Sequence, residues 1–270
     1  MLTASALPFD LAELRTLAVL AAIGLARTTG LMLITPFLGK GALTGIARNG
    51  VIIALSLPLL RLGYDTRPAD FDPANLFLTI GLSVKELMIG VLLGMPIAIT
   101  SWGLEAAGFF IDNQRGSTMA SSLNPATGNQ TSPVGILLGQ AYTTWLFVTG
   151  GFLSLLQALY WSAKVWPLWA FTPTVGPGFD QAVLGMLDAV MRLAVVVAGP
   201  AIIAMFLTEF GLALTSRFAP QLQVFFMAMP LKSAVGLLVL LLSMGLLLDQ
   251  AGGHLPSPEA ILRGLSDLLR

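Results

Sequence analysis

Long apolar runs separated by short polar connections set the pattern of this chain. Runs at 14–38, 76–102, 134–160, 186–214 and 224–248 each supply the roughly 20 mostly apolar residues that a helix needs to cross about 30 Å of hydrocarbon. A sixth run, 46–62, is shorter and is expected to end around Pro58, so it reads as tilted, re-entrant or buried against protein. The runs are continuous over more than 20 residues instead of alternating over about 10, which excludes the strand pattern of a membrane β-barrel. Leu, Ala, Met and Gly dominate them, so the fold class is all-α: a polytopic hydrophobic helical protein. Pro36, Pro58, Pro96, Pro167, Pro200 and Pro230 should end or kink helices, giving bent helices packed against protein.

Glycines four apart, Gly90 with Gly94 and Gly135 with Gly139, are candidates for close helix contacts. The connections are brief except around 64–73, 111–132 and 167–180, which leaves no room for a catalytic domain outside the helices. One helical domain is therefore expected over 1–249. A short polar tail follows over 250–270, with an amphipathic helix at 258–269 that places Leu262, Leu265 and Leu269 on one face. The start has no basic stretch before its apolar residues and meets Asp10 and Glu13 early, so the first hydrophobic helix is expected to be retained. Lys40, Arg48 and Arg115 on alternate connections nearly balance Arg61 and Arg67, so charge does not choose an orientation.

Composition narrows the function classes. Of 270 residues, 56% are hydrophobic and only 10% charged, too few charges to cover a soluble protein of this size. Lys and Arg total 14 and Asp and Glu total 14, so no basic field exists for nucleic acid. The absence of Cys excludes disulfides and thiolate chemistry. The single histidine, His254, lies in a Gly- and Pro-containing stretch and reads as an exposed tail residue. No catalytic residue, cofactor or metal is expected.

Charges inside apolar runs are costly and face protein, water or one another. Arg27, Lys85, Glu86, Glu105, Arg192, Glu209 and Lys232 interrupt the runs. Two readings stay open: internal ion pairs or snorkelling side chains, and groups that line or gate a conduit. Asp188 and Arg192, four apart, are expected to pair on one helical face. Glu86 and Glu209 could serve a stand-alone ion-coupled secondary transporter, the main alternative, although no inverted repeat is visible.

The polar middle is more informative. From Ile111 the chain reads IDNQRGSTMASSLNPATGNQTSP before apolar sequence resumes, too polar to lie against lipid, with turns favoured at Asn124-Pro125 and Gly128. It either occupies solvent or folds back into a protein-lined cavity.

Asp112-Asn113-Gln114-Arg115-Gly116, followed by Asn124-Pro125-Ala126-Thr127-Gly128-Asn129-Gln130-Thr131-Ser132-Pro133, resembles the central signature of the T subunit of type III secretion export gates. A second block, Arg217-Phe218-Ala219-Pro220-Gln221-Leu222-Gln223-Val224-Phe225-Phe226 and then Met229-Pro230-Leu231-Lys232-Ser233, resembles that family's entry into its last hydrophobic helix. Gln223 stands where Asn is the family expectation and keeps the amide. The strings look more like the virulence branch than the related flagellar R subunit. The resemblance implies a bacterial inner-membrane component of a helical, multisubunit export gate, part of it displaced toward the periplasmic side. It also implies one copy of this chain among R-type and S-type subunits and other export-apparatus components, and a passage for unfolded secreted polypeptides. Asp112, Asn113, Gln114, Arg115, Gly116, Asn124 and Pro125 then become a gate loop that plugs the closed passage. Lys85, Glu86, Asp188, Arg192, Glu209, Arg217, Pro230 and Lys232 become assembly or interior polar sites.

Overall fold

The computed structural model describes residues 11–38, 43–72, 74–116, 132–171, 179–218 and 224–253, and these are helical with short connections. The helices are α1 (Leu11–Ile34), α2 (Gly45–Asp65), α3 (Leu76–Arg115), α4 (Pro133–Val148), α5 (Gly151–Val165), α6 (Phe179–Phe218) and α7 (Val224–Gly253). Five stretches, Glu13–Ile34, Gly45–Asp65, Leu76–Arg115, Leu184–Phe218 and Ala228–Leu247, are long and apolar enough to cross a bilayer. The pair α4 and α5, bent by 70°, makes a sixth when counted as one broken span.

Three boundaries differ from the sequence expectation. Pro58 does not end the sixth run, because α2 continues to Asp65 with Pro58 inside it. Ile52, Ser56, Leu59 and Gly63 form one buried face on both sides of the proline. An interior proline costs about 3 kcal/mol, whereas burying one Leu returns roughly 1.5–3 kcal/mol, so a buried face that spans the break keeps the helix going. Helix α3 likewise runs 40 residues, well past Trp102. Leu104, Ala107, Ile111 and Asp112 continue its buried stripe, while Glu105 is exposed on another face and so does not interrupt it. The run 134–160 is broken at Thr149-Gly150, where Gly150 takes φ of +79°, a conformation that costs glycine little. Pro96, Pro200 and Pro230 also lie inside helices, in α3, α6 and α7.

The chain divides into two compact units. The first contains α1, α2, α3 up to Ala98, and α5. Buried positions on α1 recur as Thr16, Leu20, Ile23, Arg27 and Leu31, a helical stripe that faces α2 and α3. A methyl group at Gly90 would collide with the Arg27 carbonyl oxygen, and one at Gly30 with the Leu87 carbonyl oxygen, so α1 and α3 cross with their backbones in direct contact. Gly94 completes the close approach against Ile34, as the glycine spacing led us to expect.

The second unit contains α3 from Ile99, with α4, α6 and α7. Gly108 of α3 lies against Gly135 of α4, Gly103 against Leu193 of α6, and Gly236 of α7 against Met205 of α6. Gly139 faces the Glu105 side chain, so the second glycine pair also marks a helix contact. Helix α7 continues through Gly253, and the amphipathic helix expected at 258–269 falls outside the described residues.

Candidate functional site

In the first unit, three of the charges that interrupt apolar runs meet. Arg27 projects from the buried stripe of α1, and Lys85 and Glu86 from α3; Arg27 and Glu86 are fully buried and Lys85 is 8% exposed. The guanidinium holds Glu86 with two nitrogens: Nη2 donates to Oε1 at 2.9 Å, and Nε donates to Oε2. Nη1 donates to Ser162 Oγ on α5, and Nη2 also donates to the Trp166 carbonyl, both at 2.9 Å. Lys85 Nζ lies 2.6 Å from Glu86 Oε1. It also donates to the carbonyls of Pro167 (3.1 Å), Leu168 (3.2 Å) and Ala170 (2.8 Å).

Two cations and one carboxylate leave a net positive charge inside the unit. The carbonyls just beyond the end of α5, where a helix terminates in partial negative charge, offset it. The cluster thus fixes the reversal of the chain after α5 onto α1 and α3. Arg27, Lys85 and Glu86 are thus joined by internal ion pairs.

In the second unit, the two blocks that carry the family resemblance come together. The residues 112–115, read from sequence as part of a polar connection, instead form the last turn of α3, because Asp112 completes its buried stripe. Asp112 Oδ2 accepts from Ser132 Oγ (2.6 Å) and from the Val134 backbone N–H (3.0 Å). Arg115 Nη1 donates to Asp112 Oδ1 at 3.0 Å, and Arg115 Nε donates to Ser233 Oγ of α7 at 2.9 Å.

Ser132 caps α4 by accepting from the Gly135 N–H at 2.9 Å, with Pro133 next in the chain. A hydroxyl cap, a proline in the first turn and a carboxylate at a helix N-terminus are mutually reinforcing. Gly116 follows with φ of +80° and turns the chain out of α3. Asp112 and Ser132 therefore pin the two ends of the connection 117–131, and Arg115 ties that neck to the Met-Pro-Leu-Lys-Ser block. One residue earlier in that block, Lys232 Nζ lies 3.3 Å from Glu209 Oε2 on α6.

Other candidates stand apart from this junction. Asn113 is exposed and Gln114 half-buried. Asn124 and Pro125 fall outside the described residues. Asp188 and Arg192 are both exposed on α6, and no ion pair joins them among the described residues, so spacing alone did not produce the expected bridge. Exposure explains this: an i,i+4 pair in contact with surroundings gains little from being held in one geometry. Arg217 is exposed in the last turn of α6, and Pro230 is exposed within α7.

Ser162 was not singled out by sequence reasoning, and Ser132 and Ser233 stood in the signature blocks without a role of their own. Ser132-Pro133 before an apolar run is a legible helix start. The hydroxyls of Ser162 and Ser233 carry no local signal of their tertiary partners. Among the described residues no group of three or more His, Asp or Glu side chains gathers to hold a metal.

The family described as bacterial export proteins, family 1, matches residues 18–256 of this chain. The chain is 44% identical over 219 residues to Yop proteins translocation protein T of Yersinia pestis, which covers 81% of this chain and 83% of that protein. It is 35% identical over 231 residues to the secretion system apparatus protein SsaT of Salmonella typhimurium, covering 82% and 85%. Flagellar biosynthetic protein FliR of Bacillus subtilis is 27% identical over 167 residues, covering 62% of this chain and 64% of that protein.

Proposed function

Because this chain belongs to the bacterial export proteins, family 1, we propose that it is the T-type subunit of a type III secretion export gate in the bacterial inner membrane, where it helps form a passage for unfolded secreted polypeptides. Its role is structural and gating, without chemistry on the substrate. The observation that carries this reading is the meeting of the two signature blocks at Asp112, Arg115, Ser132 and Ser233. A half-buried junction made of those residues gives both blocks a physical reason to exist together: they set the neck of the polar connection against α7. Nothing in the family match or the relatives favours the stand-alone secondary transporter.

The finer features follow from the resemblance. One copy of this chain assembles with R-type and S-type subunits and other export-apparatus components, part of the gate is displaced toward the periplasmic side, and residues 112–125 restrain the closed passage. Exposed apolar faces on α6 and α7, among them Phe206, Phe210 and Leu242, suit burial against partner subunits as well as against lipid.

Deleting Gly116 through Ser122, with Asp112 and Arg115 kept as anchors, tests the gating part. The expected result is normal association with the partner subunits and increased ion leakage through the membrane-reconstituted complex, compared at equal complex abundance. Unchanged leakage in normally assembled complexes, both resting and secretion-competent, would reduce the segment to a plain connector.

A further inference from the structure

Beside α1 and α2 of the first unit lies an open cleft of about 500 Å³, within the size range of small-molecule sites, roughly 300–1,000 Å³. Its apolar part is formed by Leu17, Leu20 and Ala21 of α1 and Leu60 of α2. Its polar part is formed by Arg61, Tyr64 and Asp65, three positions on one face of the last turn of α2. The floor is tight: methyl groups at Gly24 and Gly63 would collide with Leu60 and Leu20, respectively. The two helices therefore meet beneath the cleft and leave its mouth open.

Both helices are long and apolar enough to cross a bilayer, and aromatic residues gather at the polar end. Tyr64 is exposed, Trp169 Nε1 donates to the Gly63 carbonyl at 2.7 Å, and the Phe71 ring packs on Trp169 at 4.5 Å between centroids. Aromatic rings with a polar edge collect at the level of lipid headgroups. The cleft thus joins an apolar wall to a charged mouth at the aromatic-rich end of α2.

The charges at its mouth are opposite and adjacent. Arg61 Nε and Asp65 Oδ2 are 3.7 Å apart, with the side chains 85% and 57% exposed. An ion pair this long and this exposed holds neither partner firmly. It presents a cation and an anion side by side, with unused donors on the guanidinium. A phosphate beside an ammonium is the complementary pattern.

We propose that this cleft binds one phosphatidylethanolamine molecule. An acyl chain lies along Leu17, Leu20 and Leu60, the phosphate pairs with Arg61, and the ammonium pairs with Asp65. Phosphatidylglycerol, an anionic lipid without the ammonium, satisfies Arg61 and leaves Asp65 opposed to a like charge. The site is independent of the gating role of the polar connection.

The test is to reconstitute the assembled complex in nanodiscs containing equal phosphatidylethanolamine and phosphatidylglycerol, then count and identify the lipids retained by native mass spectrometry. The wild-type chain should retain one phosphatidylethanolamine. Arg61→Gln should lower that retention roughly tenfold, as expected for loss of a charge-assisted contact. Asp65→Asn should keep a lipid but erase the preference for phosphatidylethanolamine. Ala21→Phe, which fills the apolar part without touching either charge, should expel the lipid. Equal retention of the two lipids by the wild type, retention by the variants at wild-type levels, or a partner subunit or second copy seated in the cleft would each overturn the proposal.

Discussion

Replacing Glu86 with Gln is expected to prevent the folded chain from accumulating. The substitution leaves Arg27 and Lys85 buried together without the carboxylate that both contact. Removing one partner of a buried ion pair costs about 3–5 kcal/mol, a large part of the roughly 5–15 kcal/mol by which domains are stable. Lys85→Met should be milder, because the Arg27–Glu86 pair survives, although Glu86 loses its second cation and the carbonyls of Pro167, Leu168 and Ala170 lose their donor. The double variant Lys85→Met with Glu86→Gln should be more stable than Glu86→Gln alone, since it removes one of two unneutralised charges. Membrane levels and thermal unfolding in mild detergent measure the order. A Glu86→Gln chain that melts like the wild type, or a double variant whose loss equals the sum of the singles, would show that the three charges do not act as one cluster.

Asp112→Ala is the second large effect. It strips the Val134 N–H and the Ser132 hydroxyl of their acceptor and frees Arg115 from the end of α3. Each buried polar group left unsatisfied costs about 1–3 kcal/mol, so the start of α4 should loosen from α3. Ser132→Ala should cost less, about 0.5–2 kcal/mol for a lost helix cap, because Asp112 still accepts from Val134. The expected observation is faster amide hydrogen exchange in the first turn of α4 for Asp112→Ala than for Ser132→Ala, with α1 and α2 unchanged. Protection of that turn at wild-type levels in Asp112→Ala would remove Asp112 from the junction.

Much of the fold could be read from apolar run length, and the departures share a cause. Six runs became five spanning helices and one bent pair, because burial of about 20 apolar residues is a property of the sequence itself. The places where runs end were less legible. Pro58 looked like a terminator, since the local cost of proline is visible in sequence while the α1 surface that Ser56 and Leu60 meet is not. Glu105 was read as an interruption of an apolar run, since a single charge on the exposed face of a long helix is indistinguishable in one dimension from a break. The 70° break between α4 and α5 did have a signal, the Gly150-Gly151 pair, hidden inside an otherwise apolar stretch.

The site divides along the same line. Spacing within one helix did not make a pair of Asp188 and Arg192, whereas Arg27 and Glu86, 59 residues apart, form the most buried pair in the described residues. Long-range pairing depends on which stripes face each other, and this appears only when helices pack. The junction at Asp112 was partly legible, because the family resemblance had marked both of its blocks. That resemblance could not say that Arg115 and Ser233 touch. Ser162 and Ser233 gain their partners only through tertiary contact, since a hydroxyl next to many possible partners carries no information about which one it will meet.

The most direct measurement is a density map of the complex purified in gentle detergent through a tag on this chain. A subunit of the export gate should occupy one position in a mixed helical ring with R-type and S-type partners, with Asp112, Ser132 and Ser233 gathered at the neck of the polar connection. Isolation of this chain as a lone monomer that moves an ion or small solute across a membrane, with no partner subunits at any stage of purification, would contradict it.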